Sequence, residues 1–257
     1  MENTEIKIKY AYATDVGCVR ELNEDSLFCS NNLWLVADGM GGHACGEIAS
    51  QIAAETIARE FMGSGDLVRA IELAHSNILA ASNDKVNQQG MGTTVVALTC
   101  KQNEYFVAWV GDSRAYLWDH CRSRLTQLTE DHSLIVRLVK SGLISVEEAQ
   151  KHPQRHMITQ CLGSVEIEQI KIDVNQDVWQ ANQQILLCSD GLSDELSDQE
   201  IARILKTHTD KLDKINALIE AAKSAGGRDN ISVVLIDSPI VKKPSLFEKI
   251  KMLLKIQ

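Results

Sequence analysis

The chain has few of the residues that divide a protein into parts or link it covalently. Only 3 of its 257 residues are proline, and no Pro-, Gly- or Ser-rich stretch interrupts it. The 7 cysteines form no C-x-x-C pair, and their odd number and irregular spacing argue against a disulfide framework. No run approaches the ~18 apolar residues of a membrane-spanning helix, and residues 1–10 lack the apolar core of a signal peptide. We therefore expect one domain with free thiols in the cytoplasm.

Positive charge is scarce outside the C-terminus. The formal net charge is −9, and residues 242–257 hold five lysines and one glutamate, which leaves −13 on the rest. Nucleic-acid binding needs clustered Lys and Arg, so we expect no nucleic-acid partner. After Pro244, the spacing of Ser245 and Glu248 is typical of a helix start, and apolar and basic residues then separate onto two faces. We expect residues 239–257 to form a basic amphipathic C-terminal extension, which packs on its own domain or docks a partner or an anionic membrane surface.

The order of the predicted elements favours an α+β fold. In order, they are a hairpin at residues 26–37, helices at about 44–62 and 66–86, four strands between 93 and 128, short helices at 134–139 and after 145, strands at 170–174 and 185–188, helices after 197 and at 212–225, and a strand at 231–236. Regular βαβ alternation is absent, which argues against a doubly wound parallel sheet. We expect antiparallel strands with the helices packed outside them.

Aspartates lie beside glycine at the ends of three apolar runs. They are Asp38, Asp112 and Asp190. Asp229 precedes the last predicted strand, and if that strand is antiparallel to the others, all four carboxylates could meet at one edge. A single Asp-Gly at a strand end is usually only a turn. Its repetition after apolar runs favours a site.

Carboxylates this close cannot all stay ionised without cations, because like charges raise each other's pKa. Oxygen ligands without histidine or cysteine favour Mg²⁺ or Mn²⁺ over zinc. Two such ions ~3.5–4 Å apart can activate a shared water and hold a phosphoryl group for in-line displacement. Arg20 lies upstream, and a guanidinium suits phosphate binding, although a single arginine is more often a surface residue. Spacing alone thus supports acids at strand ends with a plausible site for hard divalent cations, of the kind that a metal-dependent phosphohydrolase uses.

Seven segments, taken together, resemble the bacterial form of the metal-dependent protein phosphatase family (PPM, the type 2C serine/threonine phosphatases). They occur in the family's order over residues 14–236, nearly the whole chain. The segments are Asp15-x-Gly17-x-x-Arg20-x-x-Asn23-Glu24-Asp25, Val36-Ala37-Asp38-Gly39-Met40-Gly41-Gly42, Gly90-Met91-Gly92-Thr93-Thr94, Val110-Gly111-Asp112-Ser113-Arg114, Leu128-Thr129-x-Asp131-His132-Ser133, Ser189-Asp190-Gly191-Leu192 and Gly227-x-Asp229-Asn230.

The resemblance implies a four-layer α-β-β-α sandwich with two central antiparallel sheets. It implies one phosphatase domain over residues 1–238, with a flap at about residues 130–163. The implied activity is hydrolysis of phosphoserine and phosphothreonine in proteins by a metal-bridged hydroxide, with two Mn²⁺ or Mg²⁺ ions and a third known from bacterial members. The implied partners are phosphorylated proteins and a serine/threonine kinase in bacterial signalling, and we expect a monomer. A catalytically weak phosphoprotein-binding regulator and a small-molecule phosphohydrolase are the alternatives.

The resemblance also assigns roles to the acids. Asp38 matches the bridging ligand, and the carbonyl of Gly39 is expected on one metal. Asp190 and Asp229 match ligands of the other metal. Asp112 matches the ligand of the third ion, together with Asp190.

Other positions carry roles nearer the substrate. Glu24 and Asp25 match the acidic pair near the first metal, with more weight on Asp25, and Arg20 matches the phosphate-binding arginine. Eukaryotic members have histidine directly after the Asp-Gly, as the proposed general acid, whereas this chain has Met40. His43 is therefore a candidate proton donor, although a histidine at a helix start is usually structural.

Three histidines lie in the flap. His132, His152 and His156 are irregularly spaced, so a zinc site is the less favoured interpretation. The favoured role for the flap is the selection of phosphopeptides.

Overall fold

The computed structural model describes residues 8–30, 32–41, 45–84, 90–149, 151–165, 167 and 169–240. His43 and nearly all of the predicted C-terminal extension (residues 241–257) lie outside these ranges. Over the described part of the chain, no helix combines the length and apolar character that crossing a membrane requires. No disulfide joins the seven cysteines, all of which are described.

The described residues form eleven strands and seven helices. The strands are β1 (Tyr10–Asp15), β2 (Asp25–Ser30), β3 (Leu33–Met40), β4 (Gly92–Thr93), β5 (Val95–Lys101), β6 (Glu104–Val110), β7 (Arg114–Asp119), β8 (Arg124–Gln127), β9 (Asp173–Val178), β10 (Gln183–Cys188) and β11 (Ile231–Asp237). The helices are α1 (Cys45–Ser64), α2 (Leu67–Asp84), α3 (Leu134–Lys140), α4 (Val146–Ala149), α5 (Asp190–Ser193), α6 (Asp198–Thr207) and α7 (Lys211–Ala225).

Two antiparallel sheets stack between two layers of helices. One sheet has the order β1-β11-β10-β7-β8 and the other β2-β3-β5-β6-β9, with β4 paired to β3. Successive strand residues face opposite sides, so Leu35 packs toward α1 and α2, whereas Val36 packs toward the other sheet. Likewise, Leu186 packs toward α6 and α7, and Leu187 toward the centre. The predicted four-layer sandwich is confirmed.

Local signals placed most elements correctly. The helix predicted after residue 197 is α6, and it begins with a capping box in which the Ser197 side chain accepts from Glu200 N. The prediction of a strand at residues 170–174 was wrong in its bounds, because the strand is Asp173–Val178 and so begins three residues later and ends four residues later. This strand lies at a sheet edge, and most of its residues are exposed, so it lacks the apolar pattern that marks a buried strand.

The flap connects the two sheets. It follows β8 of the five-stranded sheet and precedes β9 of the six-stranded sheet, and it contains α3 and α4. Isolated bridges pair Ser133 with Ile158 and Thr93 with Leu162. The first bridge therefore joins the two ends of the flap to each other, and the second joins its returning end to the body of the molecule.

Candidate metal centre

Five aspartates from both sheets meet at one edge of the sandwich; we call Asp25, Asp38, Asp112, Asp190 and Asp229 the acidic cluster. Asp25 and Asp38 are direct cross-strand partners in β2 and β3. The expectation that Asp38 follows its strand was wrong. β4 pairs with the two residues after Asp38 and extends β3 to Met40.

The other three acids lie where strands end or begin. Asp112 follows β6, Asp190 is the first residue of α5 after β10, and Asp229 precedes β11. β10 and β11 are antiparallel, with Cys188 opposite Val233, so the end of one strand lies beside the start of the other. This is the arrangement on which the expected meeting of the carboxylates depended.

Burial and mutual repulsion keep four of the cluster's acids, Asp25, Asp38, Asp112 and Asp190, from ionising easily. Burial, then repulsion from Asp25, raises the pKa of Asp38 well above its usual range, and the Asp38 and Asp190 side chains share a hydrogen bond. The pKa of Asp190 is also raised well above its usual range, by burial and then by Asp112. Burial raises the pKa of Asp25 to about 6 and that of Asp112 to about 7. Neutralising these acids without protons requires positive charge.

Unpartnered oxygens indicate where that charge is needed. Four buried side-chain atoms of the described residues lack a hydrogen-bond partner, and two of them, Asp25 Oδ1 and Asp190 Oδ1, belong to the acidic cluster. Buried polar atoms normally have partners, and anionic oxygens are the ligands of hard divalent cations. No three His, Cys, Asp or Glu side chains of the described ranges already surround one point as metal ligands do. The carboxylates can turn toward a common point by changing rotamer, whereas their burial is fixed by the fold. The residues therefore fit a divalent cation.

Arg20 lies at the mouth of this cluster. Its Nη2 donates to Asp229 Oδ2 at 2.7 Å, and 47% of its side chain is exposed. Burial opposes it, but Asp229 and then Glu24 raise the pKa of Arg20. The guanidinium is thus a fixed positive charge beside the acids and remains open to solvent.

Glu24 and Gly39 lie where β3 meets the start of α1. The Glu24 carbonyl accepts from Gly39 N at 3.2 Å. A Cβ on Gly39 would lie 2.1 Å from the Gly46 carbonyl oxygen, and a Cβ on Gly46 would lie 2.6 Å from Glu24 Oε1. Glycine is therefore required at both positions for this close approach.

Asn230 holds the segment that carries Arg20 and Glu24. Its Oδ1 accepts from Glu24 N at 2.8 Å, and its Nδ2 donates to the carbonyls of Val16 at 3.0 Å and Leu22 at 2.9 Å. Sequence reasoning placed Asn230 in a motif but gave it no role. The pattern of its bonds depends on a contact 206 residues away in sequence, which no local signal contains.

Two further polar residues beside the cluster were also missed. Ser189 Oγ donates to Asp25 Oδ2 at 2.8 Å. Asp194 adds negative charge that raises the pKa of both Asp112 and Asp190. A spacing of four residues from Asp190, which puts Asp194 on the next helical turn, is the signal that could have found it.

The histidines do not assemble into a metal site in the described ranges. His156 Nδ1 lies 2.7 Å from Asp194 Oδ2, which joins the flap to the edge of the acidic cluster. His132 is buried against Gly111, and His152 accepts a hydrogen bond within its own turn. His43, the candidate proton donor, lies outside the described residues.

A cavity of about 560 Å³ lies far from this chemistry. It is lined by residues that include His120, Gln184 and Asp237, at the end of the five-stranded sheet opposite Asp190 and Asp229. There the Gln184 side chain donates a 2.7 Å hydrogen bond to the Asp237 carboxylate, so these polar groups already have partners. Unpartnered oxygens distinguish the acidic cluster from this cavity, so we place the candidate site at the cluster despite the cavity's size.

Comparison with known proteins identifies the family. The model of the family described as Protein phosphatase 2C matches residues 20–226. The serine/threonine phosphatase stp of Listeria monocytogenes is 35% identical over 248 residues, which cover 90% of this chain and 96% of that protein. The serine/threonine protein phosphatase PstP of Mycobacterium tuberculosis is 37% identical over 243 residues, which cover 92% of this chain. That match covers 46% of PstP, so this chain spans about half the length of that relative.

Solved structures agree with this. The crystal structure of M. tuberculosis PstP/Ppp superposes with a TM-score of 0.82 at 38% identity, and the match covers 90% of this chain and 98% of that chain. The catalytic domain of PstP in complex with 2 manganese ions gives a TM-score of 0.80 at 36% identity, covering 90% and 97%. Stp1 of Staphylococcus aureus gives 0.83 at 29% identity, covering 92% and 96%.

Proposed function

Because the chain belongs to the protein phosphatase 2C family, we propose that it hydrolyses phosphoserine and phosphothreonine in proteins with the help of two Mn²⁺ or Mg²⁺ ions. The observation that carries the proposal is the acidic cluster itself. Five buried or half-buried aspartates lie together there, and two of their buried oxygens, on Asp25 and Asp190, have no partner. A similar protein, PstP, binds two manganese ions.

The cluster offers enough oxygens for two cations. Asp38 is the proposed bridging ligand, and the interaction of its carboxylate with acids of both sheets supports this role. The Gly39 carbonyl, Asp25 and Glu24 are the proposed ligands on one side, and Asp190 and Asp229 those on the other. When bound, the ions would activate a water molecule and offset the charge of the phosphate. Asp112, with Asp190, is the proposed site of a third ion.

Arg20 is the proposed phosphate-binding residue. Its exposed guanidinium has donors beyond the one that bonds Asp229, and two parallel N–H groups match two phosphoryl oxygens. Its fixed charge would then stabilise the negative charge on those oxygens during displacement.

The finer predictions from sequence are retained as proposals. They are opposition to a serine/threonine kinase in the cytoplasm, a monomeric state, His43 as a proton donor, and docking of a partner or membrane surface by residues 239–257. The flap over residues 130–163 is proposed to select the phosphopeptide.

One assay tests the proposal. Hydrolysis of p-nitrophenyl phosphate and of a phosphothreonine peptide is measured with Mn²⁺ and with EDTA. We expect Asp38→Asn to lower turnover more than about 100-fold, since even outer partners of a metal ligand are worth roughly 10–100-fold. Asp177→Asn, at an exposed position of β9, is the matched control and should leave turnover unchanged.

Other outcomes select the alternatives. Turnover that persists in EDTA, or in Asp38→Asn, contradicts the proposed site. Good turnover of the small phosphate with none of the peptide would indicate a small-molecule phosphohydrolase. Peptide binding without turnover of either substrate would indicate a phosphoprotein-binding regulator.

A further inference from the structure

His132, at the start of the flap, forms hydrogen bonds with both the N–H and the carbonyl of Gly111. Its Nδ1 accepts from Gly111 N at 3.1 Å, and its own backbone N donates to the Gly111 carbonyl at 2.9 Å. The side chain of His132 is buried. Because Nδ1 accepts, Nε2 carries the ring proton and is free to donate.

The position that His132 fixes is sterically demanding. Gly111 has a φ of +107°, which favours glycine, and a Cβ there would lie 2.6 Å from the Thr94 side chain. Gly111 thus lies between Thr94 on one side and His132 on the other. The next residue is Asp112, so the Gly111 peptide sets the backbone position from which the Asp112 side chain extends.

The ring of His132 has two further contacts, one with Asp173 and one with Trp109. Nε2 lies 3.2 Å from Asp173 Oδ2, and Asp173 is paired with Lys171 at 2.6 Å. Although burial opposes it, hydrogen bonds from Lys171 and His132 lower the pKa of Asp173, so this acceptor is anionic. The Trp109 ring stacks on the imidazole, with centroids 6.3 Å apart and planes at 29°. The imidazole therefore has a fixed tautomer and a fixed plane.

The same residue contacts the end of the flap. Thr159 N donates to the His132 carbonyl at 2.6 Å, and Lys171 N donates to Gln160 Oε1 at 2.9 Å. The returning segment of the flap and the Gly111 turn are thus joined through one imidazole and its carboxylate partner. A change in the flap's position would be passed to Asp112 by this route.

We propose that His132 is a positioning residue, which aims the Asp112 carboxylate for cation binding and couples it to the flap. The proposal rests on the metal-dependent function proposed above only in that Asp112 takes part in binding a cation. Hydrogen-bonded groups behind metal ligands are typically worth roughly 10–100-fold in metal affinity.

The test compares two histidines that make the same kind of bond. His132→Phe keeps an aromatic ring beside Trp109 but removes the acceptor. His75→Phe is the matched control, because His75 is also buried and its Nδ1 accepts from a glycine, Gly163 N, at 3.0 Å. Mn²⁺ binding by the full chain is measured by calorimetry, and turnover of p-nitrophenyl phosphate is measured against Mn²⁺ concentration.

We expect His132→Phe to weaken the weakest Mn²⁺ site, and to raise the Mn²⁺ concentration for half-maximal turnover, by about 10-fold. His75→Phe, which removes the equivalent bond at the last residue of the flap, should change both quantities by much less. In an Asp112→Asn background, His132→Phe should cause no further change, because the residue acts through Asp112. His132→Asn, which restores an acceptor near the position of Nδ1, should recover part of the Mn²⁺ affinity and keeps the test decisive if the phenylalanine variant does not fold.

Three results would overturn the proposal. They are wild-type Mn²⁺ affinity in His132→Phe, an equal loss in the Asp112→Asn background, or an equal loss in His75→Phe. If the wild-type chain binds Mn²⁺ but hydrolyses neither substrate, the proposed function fails, while calorimetry still decides whether His132 positions Asp112.

Discussion

Replacement of Asn230 by alanine tests whether one side chain anchors the segment that carries Arg20 and Glu24. The substitution removes three hydrogen bonds, one accepted from Glu24 N and two donated to backbone carbonyls. Asn230 is 4% exposed, so alanine at this position would leave the three backbone groups without the hydrogen bonds that the buried amide now makes. We expect a loss of both stability and turnover.

The size of the loss follows from the bonds. Each contributes a net ~1 kcal/mol, so Asn230→Ala should lower the free energy of unfolding by about 3 kcal/mol. For a domain of this size, each kcal/mol shifts the melting temperature by about 2–4 °C. The expected shift is therefore roughly 6–12 °C.

The assay is thermal unfolding in EDTA, because bound cations would add their own stabilisation. Asn77→Ala is the control, since the Asn77 side chain donates one part-buried hydrogen bond, to Thr56 Oγ1 at 3.1 Å, and should cost only about 1 kcal/mol. Asn230→Asp keeps the acceptor for Glu24 N but sets a carboxylate against two carbonyls, so it should be at least as damaging. An Asn230→Ala shift no larger than that of Asn77→Ala would refute the reasoning.

Three more predictions concern stability. In EDTA, the free energy of unfolding measured with urea should fall as the pH rises from about 4 to about 7. The pKa of Asp25 is raised to about 6 and that of Asp112 to about 7, so over this range the folded chain keeps protons that the unfolded chain has released. Constant stability over this range would contradict the prediction. Gly191→Ala should cost about 3 kcal/mol in urea unfolding, since its Cβ would lie 2.0 Å from the Asn230 carbonyl oxygen; wild-type stability would show that the backbone yields freely. Ser197→Ala should cost about 1 kcal/mol through the lost cap of α6, with turnover unchanged; a loss of turnover would contradict the separation of α6 from the site.

The fold was predictable because its signals are local or belong to the family. The continuous apolar run that contains Leu35 and Val36 is typical of a strand buried on both faces, and Ser197 with Glu200 is typical of a helix start. The motif order then supplied the four-layer arrangement, which the two antiparallel sheets confirm. The edge strand β9 escaped prediction, since its exposed residues carry no apolar pattern.

The candidate site was predictable as a set of residues but not as a geometry. Asp38, Asp112 and Asp190 were found from apolar runs next to glycine. No such pattern shows that Asp38 pairs with Asp25 across two strands, or that Asn230 bonds the segment before Asp25. These contacts join distant parts of the chain, and they exist only once both sheets have formed.

The division of the acids between two sheets has a mechanical consequence. Asp25 and Asp38 belong to one sheet, Asp190 and Asp229 lie at strand ends of the other, and Asp112 lies in the β6–β7 loop that connects them. The distance between the first two pairs is therefore set by the side chains packed between the layers. Stacked sheets lie about 10 Å apart, and the bulk of the side chains between them determines that spacing. Side chains of the central layer, which are remote from the phosphate, thus set the separation between the acids of the two sheets. Smaller side chains in that layer would change this separation, and with it the fit of a cation, even where every acid is intact.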